Sequence, residues 1–486
     1  MIPTYLGIDL GTSGLRCLLV TQEGQCLDSA DYNYSVTSIA SGFNEQNPSD
    51  WINALKASIN ELKNRNASAV ASLQAIGIAG HMHGATLLDK NGKILHPCIL
   101  WNDTRSYQQA SILDKDVNLR EITGNIVFPG FTAPKLLWIQ DNKPELFEQV
   151  AKVLLPASYL GYYLTGEFFM DMSDAAGTSW LDVGNRCWSE YALKASNMRS
   201  DQMPKLLEGS QVASSVSKFI ADELGIPPGV SVVAGAGDNA AAACGVGIMQ
   251  EGQGFVSIGT SGVLLAARDA YTPLAQSAVH TFCHAIPKTW YQMGVILSAT
   301  DSLNWLSSVT GKSPKELSEG LGHKINGPSF EKFYPYLSGE RTPLNDAHIR
   351  GGFSGLSTNS NRMKLTQAVL EGVAFALCDC LEALKKAGPC PDQLLAIGGG
   401  SRSRFWLETI ATTLNTAIAR PIDGEYGAAM GAARLAILGK TSEPLNNIVS
   451  QPTISEIIEP RTDLSDLYSE AFNSYRSAPS HLKSIQ

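Results

Sequence analysis

Three short stretches carry residues able to do chemistry. The first runs Asp9-Leu-Gly-Thr-Ser-Gly14, a carboxylate followed by a turn with two hydroxyls and no bulky side chain. A Gly-Thr-Ser-Gly turn between strands offers backbone N–H groups at close approach, with glycines free to adopt positive φ. That suits a chain of phosphates. A tight hairpin turn uses the same residues, so one tetrad alone reads either way. The tetrad recurs at Gly259-Thr-Ser-Gly262, about half of the 486-residue chain further on. Two such turns facing each other across a cleft would clamp one polyphosphate. Asp9, at the end of an apolar run, suits Mg²⁺ held largely through water; the plainer reading is a carboxylate capping a strand end. The second half carries Ser257 at the equivalent place, so the metal-linked carboxylate belongs to one half only.

The second stretch is Gly235-Ala-Gly-Asp-Asn-Ala-Ala241. Gly235, Gly237 and Ala240 fit the dinucleotide fingerprint G-x-G-x-x-G/A, but the helix that follows is short and the next strand ends in Gly259 without an acidic residue to hold a ribose. The better reading is a turn at Gly237 that sets Asp238 and Asn239 at a helix N-terminus. The helix dipole there favours an ionised Asp238, able to take the proton of an attacking hydroxyl. A simple helix N-cap fits the same residues. The third stretch is Gly80-His-Met-His-Gly84. No third ligand lies near the two histidines, so metal binding is not expected. Imidazoles hydrogen-bond the hydroxyls of a polyhydroxylated substrate, and Met82 supplies an apolar wall. His280 and His284 lack the neighbouring Glu of a zinc protease and read as structural. The sequence holds neither a P-loop nor the protein-kinase motif set.

The elements that must position these groups come in two similar sets. Tyr5–Leu10 and Leu15–Val20 read as strands around the first tetrad, and Gly254–Ile258 and Val263–Ala267 as strands around the second. Trp51, Leu55, Ile59 and Leu62 recur at helical spacing before the apolar run Leu73–Ala79. In the second half, Leu370, Val373, Ala374, Leu377, Leu381 and Leu384 form one helical stripe, stopped by Lys385-Lys386-Ala-Gly-Pro, before a strand ending at Ile397-Gly-Gly-Gly. The pattern predicts an internal duplication, with residues 1–248 as one lobe and 249–486 as the other.

Composition narrows the class further. With 44% hydrophobic and 17% charged residues the chain is an ordinary folded one, long enough for two or three domains. The net charge of −9, without a basic block, argues against nucleic acid and anionic membrane as main partners. The sequence contains no apolar run long enough to span a bilayer. The N-terminus reads as a first strand rather than a signal peptide. The nine scattered cysteines, Cys378 and Cys380 included, read as free thiols, which points to a reducing cytoplasm.

The motifs together resemble those of the FGGY family of carbohydrate kinases over nearly the whole chain. The residues that carry the resemblance are Gly7-Ile-Asp-Leu-Gly-Thr-Ser-Gly, Gly80-His-Met-His-Gly-Ala-Thr, Leu100-Trp-Asn-Asp-Thr-Arg and Pro129-Gly-Phe-Thr-Ala-Pro-Lys-Leu-Leu-Trp. Asp171-Met-Ser-Asp-Ala-Ala-Gly-Thr-Ser-Trp, Gly235-Ala-Gly-Asp-Asn-Ala-Ala, Phe333-Tyr-Pro-Tyr-Leu-Ser-Gly-Glu-Arg-Thr-Pro and Gly398-Gly-Gly-Ser-Arg-Ser complete the set. The resemblance implies an α/β fold of two ribonuclease-H-like domains, of the actin and sugar-kinase type, flanking a cleft. It implies ATP and Mg²⁺ as cofactors and D-xylulose as the sugar, phosphorylated at its C5 hydroxyl; another ketose or polyol, or a non-catalytic ATP switch, are the alternatives. It makes Asp238 the general base and gives Asp9 a place beside Mg²⁺–ATP. Met82, His83, Trp101, Asn102, Asp103 and Asn239 fall to the sugar. Thr12, Ser13, Gly259, Thr260, Gly399, Gly400 and Ser403 fall to phosphates or adenosine. A homodimer is expected by analogy. Two positions depart from the family pattern: His81 stands where Gln is usual, and Lys364 where an acidic or amide residue is usual.

Overall fold

The computed structural model describes residues 2–422 and 427–477. The first tetrad closes a hairpin of β1 (Thr4–Leu10) and β2 (Gly14–Thr21), and the chain returns antiparallel as β3 (Cys26–Asn33). Helix α1 (Pro48–Arg65) follows, capped by the Asn47 side chain, with Trp51, Leu55, Ile59 and Leu62 on its buried face. Strand β4 (Leu73–Gly80) then lies parallel to β1. Helices α2 (Thr132–Asn142) and α3 (Met172–Ala176) lie in the long excursion that follows. Strands β5 (Val212–Ser215), β6 (Ser231–Val233) and the short β7 (Ala236–Gly237) finish a sheet in the order β5-β6-β4-β1-β2-β3, with β7 beside β4. Gly237 leads straight into α4 (Asp238–Gly245).

The second half repeats this plan. Strands β8 (Gly254–Ile258) and β9 (Gly262–Arg268) pair around the second tetrad, and β10 (His280–Cys283) and β11 (Trp290–Ile296) extend the sheet. The 26-residue helix α5 (Arg362–Ala387) leads to β12 (Gln393–Ile397), parallel to β8 as β4 is to β1. Helix α6 (Arg404–Leu414), β13 (Ala417–Pro421), α7 (Gly427–Lys440) and β14 (Ile454–Ile458) complete it, in the order β10-β11-β9-β8-β12-β13-β14. In both sheets an antiparallel hairpin sits beside a parallel strand delivered by a helix. This is the ribonuclease-H-like arrangement expected of the duplication.

The cut at residue 248 does not divide the packing. Helix α7 lies on the first sheet and against α4. A Cβ at Gly77 would overlap the Ala432 carbonyl, and one at Gly431 the Ala241 carbonyl. Backbone touches backbone there, so only glycine fits. Lys364, in the first turn of α5, lies 3.9 Å from the buried Glu331 carboxylate, which offsets its unfavourable placing at the dipole. All nine cysteines are free thiols. No described helix is long and apolar enough to cross a membrane.

Candidate active site

The two tetrads are the turns of the β1–β2 and β8–β9 hairpins. The first is held from outside: Tyr34 Oη donates to the Gly11 carbonyl at 2.6 Å and Gln46 Nε2 to the Thr12 carbonyl at 2.6 Å. Trp101 Nε1 donates to Thr12 Oγ1 at 2.9 Å, tying the segment expected to meet the sugar to the turn expected to meet phosphate. In the second tetrad the Gly259 carbonyl accepts from the Thr300 N–H at 2.9 Å and its hydroxyl at 2.8 Å. Ser13 and Thr260 are exposed at the tips.

Between the lobes lies a cavity of about 760 Å³ lined by Asp9, Arg16, Ser257, Gly399, Arg420 and Gly427 among others. A second cavity of about 620 Å³ shares Gly399 and extends over Gly400, Ser403, Asn304 and Trp406. Gly399 bridges the two, and a Cβ there would meet only open space. Gly398 has φ +84°, and a Cβ at Gly400 would strike Ile258. These glycines bring the loop against β8. Ser403 has a structural duty as well, capping α6 through the Trp406 N–H at 3.3 Å.

Asp238 stands half-buried at the first position of α4. Its Oδ1 accepts from the Asn239 N–H at 2.7 Å and from Asn239 Nδ2 at 2.9 Å. Among the described residues Oδ2 accepts nothing. Burial pushes the Asp238 carboxyl up to about 6, against the pull of the Asn239 donors. Asp238 is half ionised near pH 6 and mostly ionised at pH 7. Asp9 is likewise pushed up to about 6, first by burial and then by the charge of Asp238.

The Gly80–Gly84 turn separates its two histidines. His83 takes φ +71°, uncommon for a residue with a side chain. Its Nδ1 lies 2.7 Å from the Gly177 carbonyl, which fixes the proton there and leaves Nε2 an acceptor. Its ring stacks on Phe131 at 4.6 Å. His81 turns the other way, into the edge of Trp51 at 5.6 Å, where its ring nitrogens are sealed from solvent. The expectation of two hydroxyl-binding histidines is therefore corrected to one. Burial pushes both imidazoles down to about 3, so both are neutral. Met82 packs beside Gly237, and Tyr291 Oη reaches its sulfur at 3.9 Å. Met82 thus packs between His83, its neighbour in the turn, and Gly237, which leads into Asp238.

The other expected sugar contacts fare differently. Asn239 donates from Nδ2 to Asp238 and so orients that carboxylate. Asp103 is fully buried and taken up by Arg105 at 2.7 Å and the Asn44 N–H at 2.6 Å, so its carboxylate organises the loop from within. Asn102 is exposed on that loop.

Three groups near this wall had no role in the sequence reading. Lys135 is fully buried on α2, with Nζ donating to the His83 carbonyl at 2.8 Å and the Gly130 carbonyl at 2.7 Å. Burial pushes its ammonium down to about 7. A single lysine in an otherwise apolar helix start was its only signal. Asp174 is a buried carboxylate whose oxygens have no hydrogen-bond partner among the described residues, held well above the usual range by burial and by Asp171 and Asp238. Arg341 approaches from the second half, over the Phe128 ring at 5.1 Å.

Two duplicated α/β lobes, a glycine-lined cleft and a carboxylate at a helix start between the cleft and a polar–apolar wall define a phosphoryl-transfer class of fold and site. The chain matches the N-terminal domain of the FGGY family of carbohydrate kinases over residues 4–245 and the C-terminal domain over 254–439, and it belongs to that family. A kinase family implies ATP as co-substrate. The chain is 42% identical to xylulose kinase of Escherichia coli K12 over 441 residues, covering 90% of each. It is 34% identical to xylulose kinase of Bacillus subtilis over 487 residues, covering 99% of this chain and 97% of the other. The crystal structure of a xyloylose kinase from Brucella ovis superposes with a TM-score of 0.96 at 49% identity, covering 99% of this chain and 100% of that one.

Proposed function

We propose that the protein transfers the γ-phosphoryl group of ATP to the C5 hydroxyl of D-xylulose. The observation that carries this reading is Asp238: a carboxylate with one oxygen held by Asn239 and the other open, beside the Met82–His83 wall and coupled in charge to Asp9 in the cleft. The near-full-length xylulose kinase relatives favour this sugar over others of similar size.

In this mechanism the nucleotide lies across the two cavities, its adenosine end towards Asn304 and Ser403 and its phosphates towards Asp9 and the tetrads. Gly11–Gly14 and Gly259–Gly262 present backbone N–H groups and hydroxyls to the phosphates. The sugar rests on Met82, a hydroxyl donates to His83 Nε2, and the C5 hydroxyl sits against Asp238 Oδ2. Asp238 takes its proton as the oxygen attacks phosphorus. Positioning and charge neutralisation dominate such a transfer, so the protein needs no covalent intermediate. Trp101, bonded to Thr12, couples the sugar side to the phosphate side. Closure of the lobes would exclude water, the competing acceptor.

The cleft fits a metal brought in by the nucleotide. No group of three acidic, histidine or cysteine side chains able to hold an ion exists among the described residues. Among the described residues no donor bonds the Asp9 carboxylate, which lines the cavity between the lobes; that suits Mg²⁺ completed by phosphate oxygens and water. Bound there, the ion would neutralise phosphate charge. The test is product identity. Phosphorus NMR of a reaction with ATP and D-xylulose should show ADP and a phosphate monoester coupled to the C5 protons. An ester at another carbon, or only inorganic phosphate, would overturn the assignment.

A further inference from the structure

The wall that holds His83 continues beyond the first half of the chain. His83 stacks on Phe131 at 4.6 Å, Phe131 meets Phe128 edge-on at 5.5 Å, and the Arg341 guanidinium covers Phe128 at 5.1 Å. Met82 and Gly237 join this row to Asp238 at its other end. Arg341 therefore closes the end of the wall opposite the proposed base.

The backbone around Arg341 is tightly fixed. Thr342 N–H donates to the Val295 carbonyl at 3.0 Å, and the Val295 N–H returns to Thr342 Oγ1 at 3.1 Å. The Glu340 carboxylate accepts from the Leu297 N–H at 3.0 Å and the Arg341 N–H at 2.7 Å. The guanidinium itself is half-buried and has no hydrogen bond or ion pair among the described residues. Burial pushes the neighbouring Glu340 carboxyl up to about 8, against the pull of its backbone donors and of the Arg341 charge. His83 and His280 both feel its charge, which opposes their protonation. A cation on a fixed backbone at the end of this aromatic row, without a hydrogen-bond partner among the described residues, has five donors that suit clustered oxygens.

We infer that Arg341 is a sugar-recognition residue supplied by the second lobe, donating to the carbonyl and hydroxyl oxygens at the end of the ketose remote from the reacting hydroxyl. This rests on the D-xylulose reading above and adds a contact that ties sugar binding to the approach of the lobes. Loss of the fork should raise the sugar KM and leave the ATP KM nearly alone.

The test compares D-xylulose with 1-deoxy-D-xylulose, which lacks the C1 hydroxyl, in wild type, Arg341→Gln and Arg341→Lys. Wild type should prefer D-xylulose by at least about tenfold in kcat/KM, and R341Q should lose most of that preference, with its D-xylulose KM up about tenfold or more. R341K, which keeps charge and stem but not the fork, should fall between. Full discrimination retained by either soluble variant overturns the assignment, even where stability drops. Equal use of both sugars by wild type also overturns it. Wild type that turns over neither ketose while binding ATP refutes the substrate reading instead.

Discussion

Replacing Asp238 by Asn should stabilise the fold while it stops the reaction. The carboxyl moves from an ordinary 3.8 to about 6 on folding, chiefly through burial. The folded state therefore holds this proton to higher pH than the unfolded chain. The cost of ionising it is absent below about pH 4, grows as pH rises to 6, and is complete above about pH 7. In free energy the full cost is about 3 kcal/mol. Asp238 is half-buried, so water lowers the net effect to ~1–2 kcal/mol. Asn keeps the shape and removes the charge, and it also relieves Asp9, which that charge pushes up. D238N should thus exceed wild type in stability by ~1–2 kcal/mol at pH 8, and the gain should vanish near pH 4. Its kcat should fall by roughly 10² or more, with the ATP KM close to normal. The assays are urea denaturation at pH 4.5, 6 and 8 and coupled ADP release. A variant less stable than wild type at pH 8, or one with near-normal turnover, refutes the reasoning.

Other consequences are equally concrete. Wild-type activity should fall on the acid side with an apparent pKa near 6, because Asp238 must be ionised to accept a proton; an acid limb centred near 4 in a kcat/KM profile would contradict this. Gly399→Val points its side chain into open cavity, so it should raise the ATP KM by about tenfold or more with an unchanged melting temperature. Gly77→Ala drives a methyl into the Ala432 backbone and should cost ~3 kcal/mol by urea denaturation. Arg105→Met leaves the buried Asp103 and Glu45 without their shared cation, each paired with it at 2.7 Å, and should cost about 3–5 kcal/mol in the same assay.

What the sequence made legible was local. The tetrads, their strands, α1 and the stripe of α5 follow from short-range period and turn chemistry. Asp238 at a helix start follows from Gly237 before an alanine-rich run. What stayed hidden depends on long-range approach. Helix α7 lies on the first sheet because Gly7, Gly77 and Gly431 allow backbone contact, and nothing near residue 430 announces a partner near residue 77. His81 and His83 look alike in sequence, yet the positive φ at His83 sends one ring to the wall and leaves the other in the core. Asp103 reads as a pocket carboxylate until Arg105 folds back onto it. The bond from Asn239 Nδ2 to Asp238 was equally invisible in the sequence. The raised pKa of Asp238 was not legible either, because burial is a property of the whole packing.

The central claim is sugar-dependent phosphoryl transfer at Asp238 with D-xylulose as acceptor. The most direct measurement is ADP release from Mg²⁺–ATP with D-xylulose, L-ribulose, D-ribulose, glycerol or gluconate, each against a no-sugar control. The account predicts strong stimulation by D-xylulose above the others. Stronger stimulation by a different sugar would contradict the pocket assignment, and no stimulation by any sugar, with ATP still bound, would contradict the mechanism.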